Sequence, residues 1–149
     1  MRILFETNVV LDLLLDRDPF SMSAAQLFVM VESRQITGYL CATTVTTIHY
    51  LAQKTVGRKK AQQQIQELMS LFSIADVNRP VLELAVTSKF KDFEDSVLHQ
   101  SALQVQAQGI VTRNSNDFKH SVIPVYSPAE LLQILHLKQA QETDTDNLV

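Results

Sequence analysis

The sequence is poor in cysteine and glycine, and both shortages narrow the possible chemistry. Cys41 is the single cysteine among 149 residues, so no disulfide can form within the chain. This fits a reducing compartment, and the apolar run around Cys41 predicts a small, buried packing residue. The three glycines form no glycine-rich phosphate loop, and no residues have the spacing of a zinc site. The sequence therefore favours neither a glycine-rich nucleotide-binding loop nor a zinc site.

The chain also lacks an excess of positive charge and a long hydrophobic run. It has 13 lysines and arginines and 16 aspartates and glutamates, which gives a net charge of −3. A broad surface for double-stranded nucleic acid is therefore not expected. A small charged site that binds metal cations is compatible with this net charge. The apolar runs are far shorter than the ~20 residues that span a bilayer. The N-terminus looks like a strand and not like a leader peptide, so we expect a soluble cytoplasmic protein without membrane contact.

Short apolar runs alternate with helical patterns along the whole chain. With 149 residues, 46% of them hydrophobic, the chain suits one domain with a proper core. The apolar runs predict strands at residues 3–5, 36–40, 72–75, 110–112 and 122–125. Strands that alternate with helices predict an α/β sandwich around a mostly parallel sheet.

The C-terminal third contains a predicted key helix and a polar end. The helix runs from Asp95 to about Gln108, with Gly109 as its left-handed stop. Residues 138–149 are polar and acidic, so we expect this tail to fray. The predicted domain therefore covers residues 1–137, followed by a flexible tail.

Acidic and amide side chains follow two of the predicted strands. Glu6 and Asn8 come after the first strand, and Asn114 and Asp117 follow the strand at Ile110. Because the carboxyl ends of parallel strands meet at one edge of a sheet, these groups should converge there. Asp95 begins the key helix, where a carboxylate is often only a cap.

Glu6 lies between an apolar strand and an apolar helix, which predicts a position near the interior. A buried carboxylate needs a cation, and the sequence shows no obvious arginine for it. Hard oxygen ligands in a loose cluster favour Mg²⁺ or Mn²⁺. Such ions activate water and stabilise the charge on a phosphate under attack.

Three segments resemble the PIN-domain proteins, including the ribonuclease toxins of bacterial toxin–antitoxin pairs. FETNVVLDLLLDR resembles the opening motif of that family, DFEDSVLHQSA its third-acid segment, and IVTRNSNDF its closing segment. The resemblance covers residues 1 to about 135. It implies a PIN-like three-layer α/β/α sandwich and a ribonuclease that prefers single strands and uses one or two Mg²⁺ or Mn²⁺ ions. It also implies a homodimer and an antitoxin partner that covers the site.

The resemblance assigns roles to seven positions. Three carboxylates would be both the metal ligands and the catalytic residues, namely Glu6, Asp95 and Asp117. Four further side chains would orient substrate, ligands or water, or stabilise phosphate charge, namely Asn8, Thr47, Arg113 and Asn114.

Two positions depart from the family pattern. Glu6 stands where the family has aspartate, and the extra methylene moves the carboxylate by roughly 1.5 Å. Thr47 stands where the family commonly has glutamate, which lowers the charge of the site. Asp92 and Glu94 are expected to face solvent. These departures favour the alternative of a degenerate PIN domain that binds RNA or a protein without cleavage. A phosphatase or other metal hydrolase would use the same acids, but no nucleophile motif supports it.

The remaining candidates are basic and imidazole side chains. His49 and His99 are expected to be ordinary helix residues, with His99 at the surface. Lys54 and residues 58–60 form a basic cluster that is solvated or contacts RNA phosphates. Lys119 and His120 follow Asp117 and are better placed to meet a phosphate.

Overall fold

The computed structural model describes residues 1–148. Across these residues a five-stranded sheet is combined with seven α-helices and one short 3-10 helix. The strands are β1 (Arg2–Phe5), β2 (Thr37–Cys41), β3 (Ser73–Ala75), β4 (Gly109–Val111) and β5 (Val125–Tyr126). The helices are α1 (Thr7–Leu14), α2 (Ser21–Glu32), α3 (Ala42–Val56), α4 (Arg58–Leu71), α5 (Arg79–Val86), α6 (Phe93–Gln104) and α7 (Pro128–Asp146). The 3-10 helix covers Ser115–Phe118.

β1 is the central strand of a sheet with the order β3-β2-β1-β4-β5. All four strand pairings are parallel, and Leu4 of β1 lies opposite Tyr39 on one side and Ile110 on the other. Ile3, Leu4 and Phe5 are completely buried, as expected for a strand that helices cover on both faces. The continuous apolar run at the start of the chain is thus explained by its central position.

Side chains of β1 alternate between two separate cores, one on each face of the sheet. Ile3 and Phe5 belong to a larger core with residues of α1, α2, α3, α4 and α7. Leu4 and the buried Cys41 belong to a smaller core with residues of α5 and α6. Helices therefore cover both faces, and the prediction of a three-layer α/β/α sandwich is confirmed. The packing role of Cys41 is also confirmed, since it is a buried free thiol.

The order in which the chain adds strands to the sheet reverses between β1 and β4. It runs outward from β1 through β2 to β3 and then returns to add β4 and β5 on the opposite side. At the end of β1 the amide of Glu6 donates to the carbonyl of Val111 at 3.0 Å, which holds the two strand ends together. In open α/β sheets, ligands bind beyond the carboxyl ends of the strands at such a reversal point.

Three local predictions in the second half of the chain are wrong. Helix α6 ends at Gln104, and Gln106, not Gly109, adopts the left-handed conformation with φ of 57°. Gly109 instead begins β4, where an added Cβ would lie 2.7 Å from the ring of Tyr126. The last strand covers Val125–Tyr126, because residues 122–124 precede it without strand pairing.

The C-terminal helix continues beyond the predicted domain boundary. Helix α7 runs to Asp146, with Leu131, Leu132 and Leu135 in the core and an exposed surface from His136 onward. Residues 138–146 of the polar stretch expected to fray therefore form the last turns of a helix. Val149 lies outside the described residues, and the division at residue 137 stays a prediction. Within the described chain, no helix combines the length and the apolar composition needed to cross a membrane.

Candidate active site

A pocket of about 320 Å³ lies beyond the carboxyl ends of β1 and β4. We call it the acidic pocket because five carboxyl groups line it, those of Glu6, Asp92, Glu94, Asp95 and Asp117. Six of the seven predicted site residues border it together, namely Glu6, Asn8, Thr47, Asp95, Asn114 and Asp117. They lie at the N-cap and in the first turn of α1, in α3, in α6, and in the loop and 3-10 helix after β4, so the sheet reversal brings together residues more than 100 positions apart.

Glu6 is the N-cap of α1 and is only 6% exposed. Its Oε2 accepts from the backbone amide of Asn8 at 3.0 Å, and its Oε1 accepts from Asn8 Nδ2 at 3.3 Å. Burial raises the pKa of Glu6 to about 7, the Asn8 hydrogen bond opposes that rise, and the negative charge of Asp95 adds to it. The two groups that donate hydrogen bonds to this carboxylate are neutral amides, and the positive charge that opposes the rise is that of Arg113, which is paired with Asp12.

Asp95 lies in the first turn of α6 but does not cap it. The cap is Asp92, whose Oδ1 accepts from the amide of Asp95 at 2.9 Å. Burial and, to a smaller extent, the carboxylates of Asp92, Asp117 and Glu94 together raise the pKa of Asp95 to about 6. The interpretation of Asp95 as a plain cap is thus wrong. Asp95 stands among other acids, and a divalent cation would relieve the repulsion between them.

Thr47 and Glu94 meet at the rim of the acidic pocket. The Thr47 hydroxyl donates to the carbonyl of Thr43 at 3.1 Å and lies 3.5 Å from Glu94 Oε1. Asp92 and Glu94 are exposed, as expected, but both also border the pocket. The acidic side chain of Glu94 in α6 therefore lies beside the position where the family resemblance places a glutamate.

Arg113 is engaged by a second buried carboxylate, that of Asp12. Arg113 Nε and Nη2 donate to the two Asp12 oxygens at 2.8 and 3.3 Å, and the guanidinium lies 4.1 Å from the centre of the Phe20 ring. Arg17 lies 3.7 Å from the same carboxylate and 3.4 Å from the side-chain oxygen of Asn8. These contacts connect Asp12 to Asn8 and so to Glu6.

Sequence reasoning missed Asp12, although one signal pointed to it. The residue lies in the middle of the apolar run of α1 and is only 1% exposed, and a charge in that environment requires a partner. The partner, Arg113, is 101 residues away in sequence, so the sequence alone did not identify it.

The prediction that His99 lies at the surface is wrong. The residue is buried, its Nε2 accepts from the amide of Val122 at 3.2 Å, and its ring lies 4.9 Å from that of Phe90. Because Nε2 accepts, the neutral ring carries its proton on Nδ1, which has no hydrogen-bond partner among the described residues. Burial lowers the pKa of His99. His99 therefore supports the fold around the site.

The oxygen ligands of the acidic pocket suit Mg²⁺ or Mn²⁺ in their chemistry. In residues 1–148, no three histidine, cysteine, aspartate or glutamate side chains are gathered closely enough to hold one ion. Mg²⁺ commonly binds through one or two carboxylates and keeps several waters, so a set of three direct ligands is not required. The buried, uncompensated carboxylate of Glu6 beside Asp95 fits this kind of ion.

Solved structures share the fold of this chain at low sequence identity. A toxin–antitoxin complex from Klebsiella pneumoniae contains a chain with 22% identity and a TM-score of 0.65, covering 85% of this chain and 97% of that one. The VapBC2 structure from Rickettsia felis, bound to a promoter DNA fragment, matches with 14% identity and a TM-score of 0.65, covering 85% and 98%. The Mycobacterium tuberculosis toxin VapC20, described as cleaving the sarcin–ricin loop, matches with 14% identity and a TM-score of 0.58, covering 72% and 86%.

Sequence comparison identifies the family directly. No curated protein matches the chain in sequence. The family model of the PIN domain, however, matches residues 2–116. This range contains β1 to β4 and most of the acidic pocket, so the match agrees with the fold and with the segments that suggested the resemblance. The chain therefore belongs to the PIN-domain family.

Proposed function

We propose that this chain is a metal-dependent endoribonuclease and the toxin of a toxin–antitoxin pair. The observation that carries the proposal is the convergence of Glu6, Asp95 and Asp117 on one pocket at the reversal point of the sheet. Two of these carboxyl groups have raised pKa values, about 7 for Glu6 and about 6 for Asp95. Acids whose repulsion is uncompensated in the folded protein are candidates for a functional metal site.

Glu6, Asp95 and Asp117 would hold Mg²⁺ or Mn²⁺, directly or through water. When bound, such an ion supplies Lewis-acid activation of water and of the phosphodiester. Asn8 fixes the Glu6 carboxylate through two hydrogen bonds and leaves its remaining lone pairs for the pocket. Asn114 and Thr47 border the same space and would orient substrate or water. Arg113 would support this arrangement through Asp12, since its guanidinium is held there.

The proposal includes an antitoxin partner, a homodimer and a cytoplasmic location. The antitoxin partner is supported by the likeness in fold to chains solved within toxin–antitoxin complexes, and the homodimer and the location follow from the family resemblance of the sequence. The toxin from Mycobacterium tuberculosis supports an RNA substrate in the same way, through its description as a sarcin–ricin loop cleaving toxin.

A degenerate PIN domain that binds RNA or a protein without cleavage is the second candidate. Two observations favour it. No cluster of three ligating side chains is gathered in the described chain, and the Thr47 hydroxyl donates back to its own helix at Thr43. Metal-dependent cleavage separates this candidate from the enzyme.

The deciding experiment is Mn²⁺-dependent cleavage of a mixed pool of structured and single-stranded RNAs. The unmodified chain would be compared with Asp95→Asn, with Glu6→Asp and with the control Glu142→Gln, which removes an exposed charge on α7. We expect cleavage that requires Mn²⁺, is unaffected by Glu142→Gln and is lost in Asp95→Asn. That loss should exceed the roughly 10- to 100-fold effect of losing an outer partner of a metal ligand.

The Glu6→Asp variant distinguishes the two candidates further. Cleavage by this variant but not by the unmodified chain would mean that the extra methylene disables an otherwise intact site. An absence of cleavage in both chains would contradict the proposed activity and favour the binding module.

A further inference from the structure

A second cavity, of about 140 Å³, adjoins the acidic pocket and shares Asp92, Asp95 and Asp117 with it. Its other charged walls carry cationic or imidazole groups, from Lys91, Lys119 and His120. We call these three residues the cationic lobe. In a chain with a net charge of −3, such a grouping beside the acids is a local feature that the overall composition does not suggest.

The cationic lobe is built from two segments that are distant in sequence but fixed to each other. Lys91 directly follows Phe90, whose ring lies 4.9 Å from His99, 5.9 Å from Phe118 and 6.3 Å from His120. His99 also accepts a hydrogen bond from the amide of Val122 at 3.2 Å, which fastens the turn after Lys119 to α6. The backbone that carries the lobe is therefore held in place by packing and by this hydrogen bond.

The two lysines are free to meet a ligand. Among residues 1–148, neither Lys91 nor Lys119 forms an ion pair, although carboxylates line the same cavity. Both side chains are exposed. An ammonium group that is not engaged by a carboxylate and has three donors is suited to a phosphate oxygen.

We propose that the cationic lobe binds a backbone phosphate of single-stranded RNA, next to the phosphate that enters the acidic pocket. This inference rests on the proposed function for its choice of ligand, and it adds the direction in which the strand leaves the site. The cavity is narrow and offers only three such groups, so it accommodates one strand and not the wide face of a duplex. Its contacts are to phosphate, so they position the strand without reading its sequence.

Binding of a fluorescent single-stranded RNA, measured against salt concentration, tests this proposal. Every chain would carry Asp95→Asn, so that the RNA stays intact in Mn²⁺, and would be combined with Lys91→Gln, Lys119→Gln or both. The matched control is Lys138→Gln, which removes the same charge beside Met1 and Gln35 at the opposite edge of the sheet.

We expect the double lobe variant to reduce the magnitude of the slope of log affinity against log salt by about 0.7, the value for one phosphate contact on a single strand, and each single substitution to reduce it by part of that amount. Affinity should fall roughly two- to fivefold per lysine, the size of an exposed ion pair. Lys138→Gln should change neither quantity.

The possible failures point to different conclusions. Lobe variants that bind like their parent, or that lose no more than Lys138→Gln, would overturn the inference even if the unmodified chain cleaves RNA. A parent that does not bind RNA would overturn it as well. Chains that never cleave RNA but show the expected change in slope would leave the lobe as an RNA site and remove only the proposed catalysis.

Discussion

The two ends of helix α1 each hold a buried carboxylate, and their surroundings differ sharply. Asp12 is 1% exposed and receives two hydrogen bonds from Arg113, with Arg17 nearby. Glu6 is 6% exposed and is held only by the neutral amide groups of Asn8. Among the described residues, the protein therefore pairs Asp12 directly with its own cations, whereas Glu6 has no cation in direct contact and feels the charge of Arg113 only from a distance.

This difference separates a structural charge from a functional one. A carboxylate with an arginine partner contributes to folding whether or not a ligand is present. Burial and the nearby Asp95 raise the pKa of Glu6 to about 7 although the Asn8 hydrogen bond and the charge of Arg113 oppose that rise, so a cation bound in the pocket would stabilise the charged form further. The contrast supports the proposal that the acidic pocket binds a metal ion, and three substitutions test it.

The largest expected effect is a loss of folding stability when Arg113, the cation paired with Asp12, is replaced. Arg113→Met should destabilise the fold by about 2–3 kcal/mol, because Asp12 would remain buried with Arg17 only at 3.7 Å. This is less than the roughly 3–5 kcal/mol for a fully buried pair, since a quarter of the Arg113 side chain is exposed. Urea unfolding at pH 8 measures the change.

Arg17→Met is the matched control for that substitution. Its side chain is more exposed and its contact with Asp12 is longer, so the loss should stay below about 1 kcal/mol. Equal losses for the two arginines would show that the bidentate pair is not what stabilises Asp12.

Removing the charge of Glu6 should instead stabilise the folded protein. The folded chain keeps a proton on Glu6 up to about pH 7, whereas the ordinary pKa is 4.5, so stability contributed by this group falls as the pH rises through that window. Without metal at pH 8, Glu6→Gln should therefore stabilise the protein by on the order of 2 kcal/mol. The glutamine still accepts from the amide of Asn8.

The pH profile of that gain distinguishes it from a packing effect. The difference in unfolding free energy between Glu6→Gln and the unmodified chain should shrink as the pH falls from 7 to 4.5. Glu142→Gln, at an exposed position of α7, should show no such dependence. A Glu6→Gln variant that is less stable at pH 8 would mean that the carboxylate is compensated after all.

The smallest effect concerns the position where the family resemblance places a glutamate. Thr47→Glu would add a carboxylate to the rim of the pocket, beside Glu94. Mn²⁺ affinity should rise roughly tenfold, the lower end of the contribution of an outer partner, as measured by calorimetric titration. Thr46→Glu, at an exposed neighbouring position, is the control, and an equal gain there would indicate a general charge effect.

The sequence predicted what depends on local pattern. The uninterrupted apolar run of β1 identified a central strand, and the position of Glu6 directly after it identified the edge of the sheet where the site lies. The rule that parallel strand ends converge then placed Asp117 and Asn114 in the same pocket, as the structure shows.

The features that the sequence did not predict depend on contacts between distant residues. Gly109 was interpreted as a helix stop, but the close approach of Tyr126 explains that glycine. His99 is buried because Phe90 and Val122 cover it. The spacing of residues along the helix does not indicate either contact. Asp12 was missed in the same way, because its partner Arg113 is identified only by the fold.

Calorimetric titration of Mn²⁺ into the unmodified chain tests the central claim most directly, that the uncompensated carboxylates hold a divalent cation. At pH 8 we predict measurable binding that is lost in Asp95→Asn and retained in Glu142→Gln. At pH 5.5, below the pKa values of about 7 and about 6 for Glu6 and Asp95, affinity should fall roughly a hundredfold, because both groups must lose a proton to bind metal. Binding that is absent at pH 8, or that is equal in Asp95→Asn and at pH 5.5, would contradict the account.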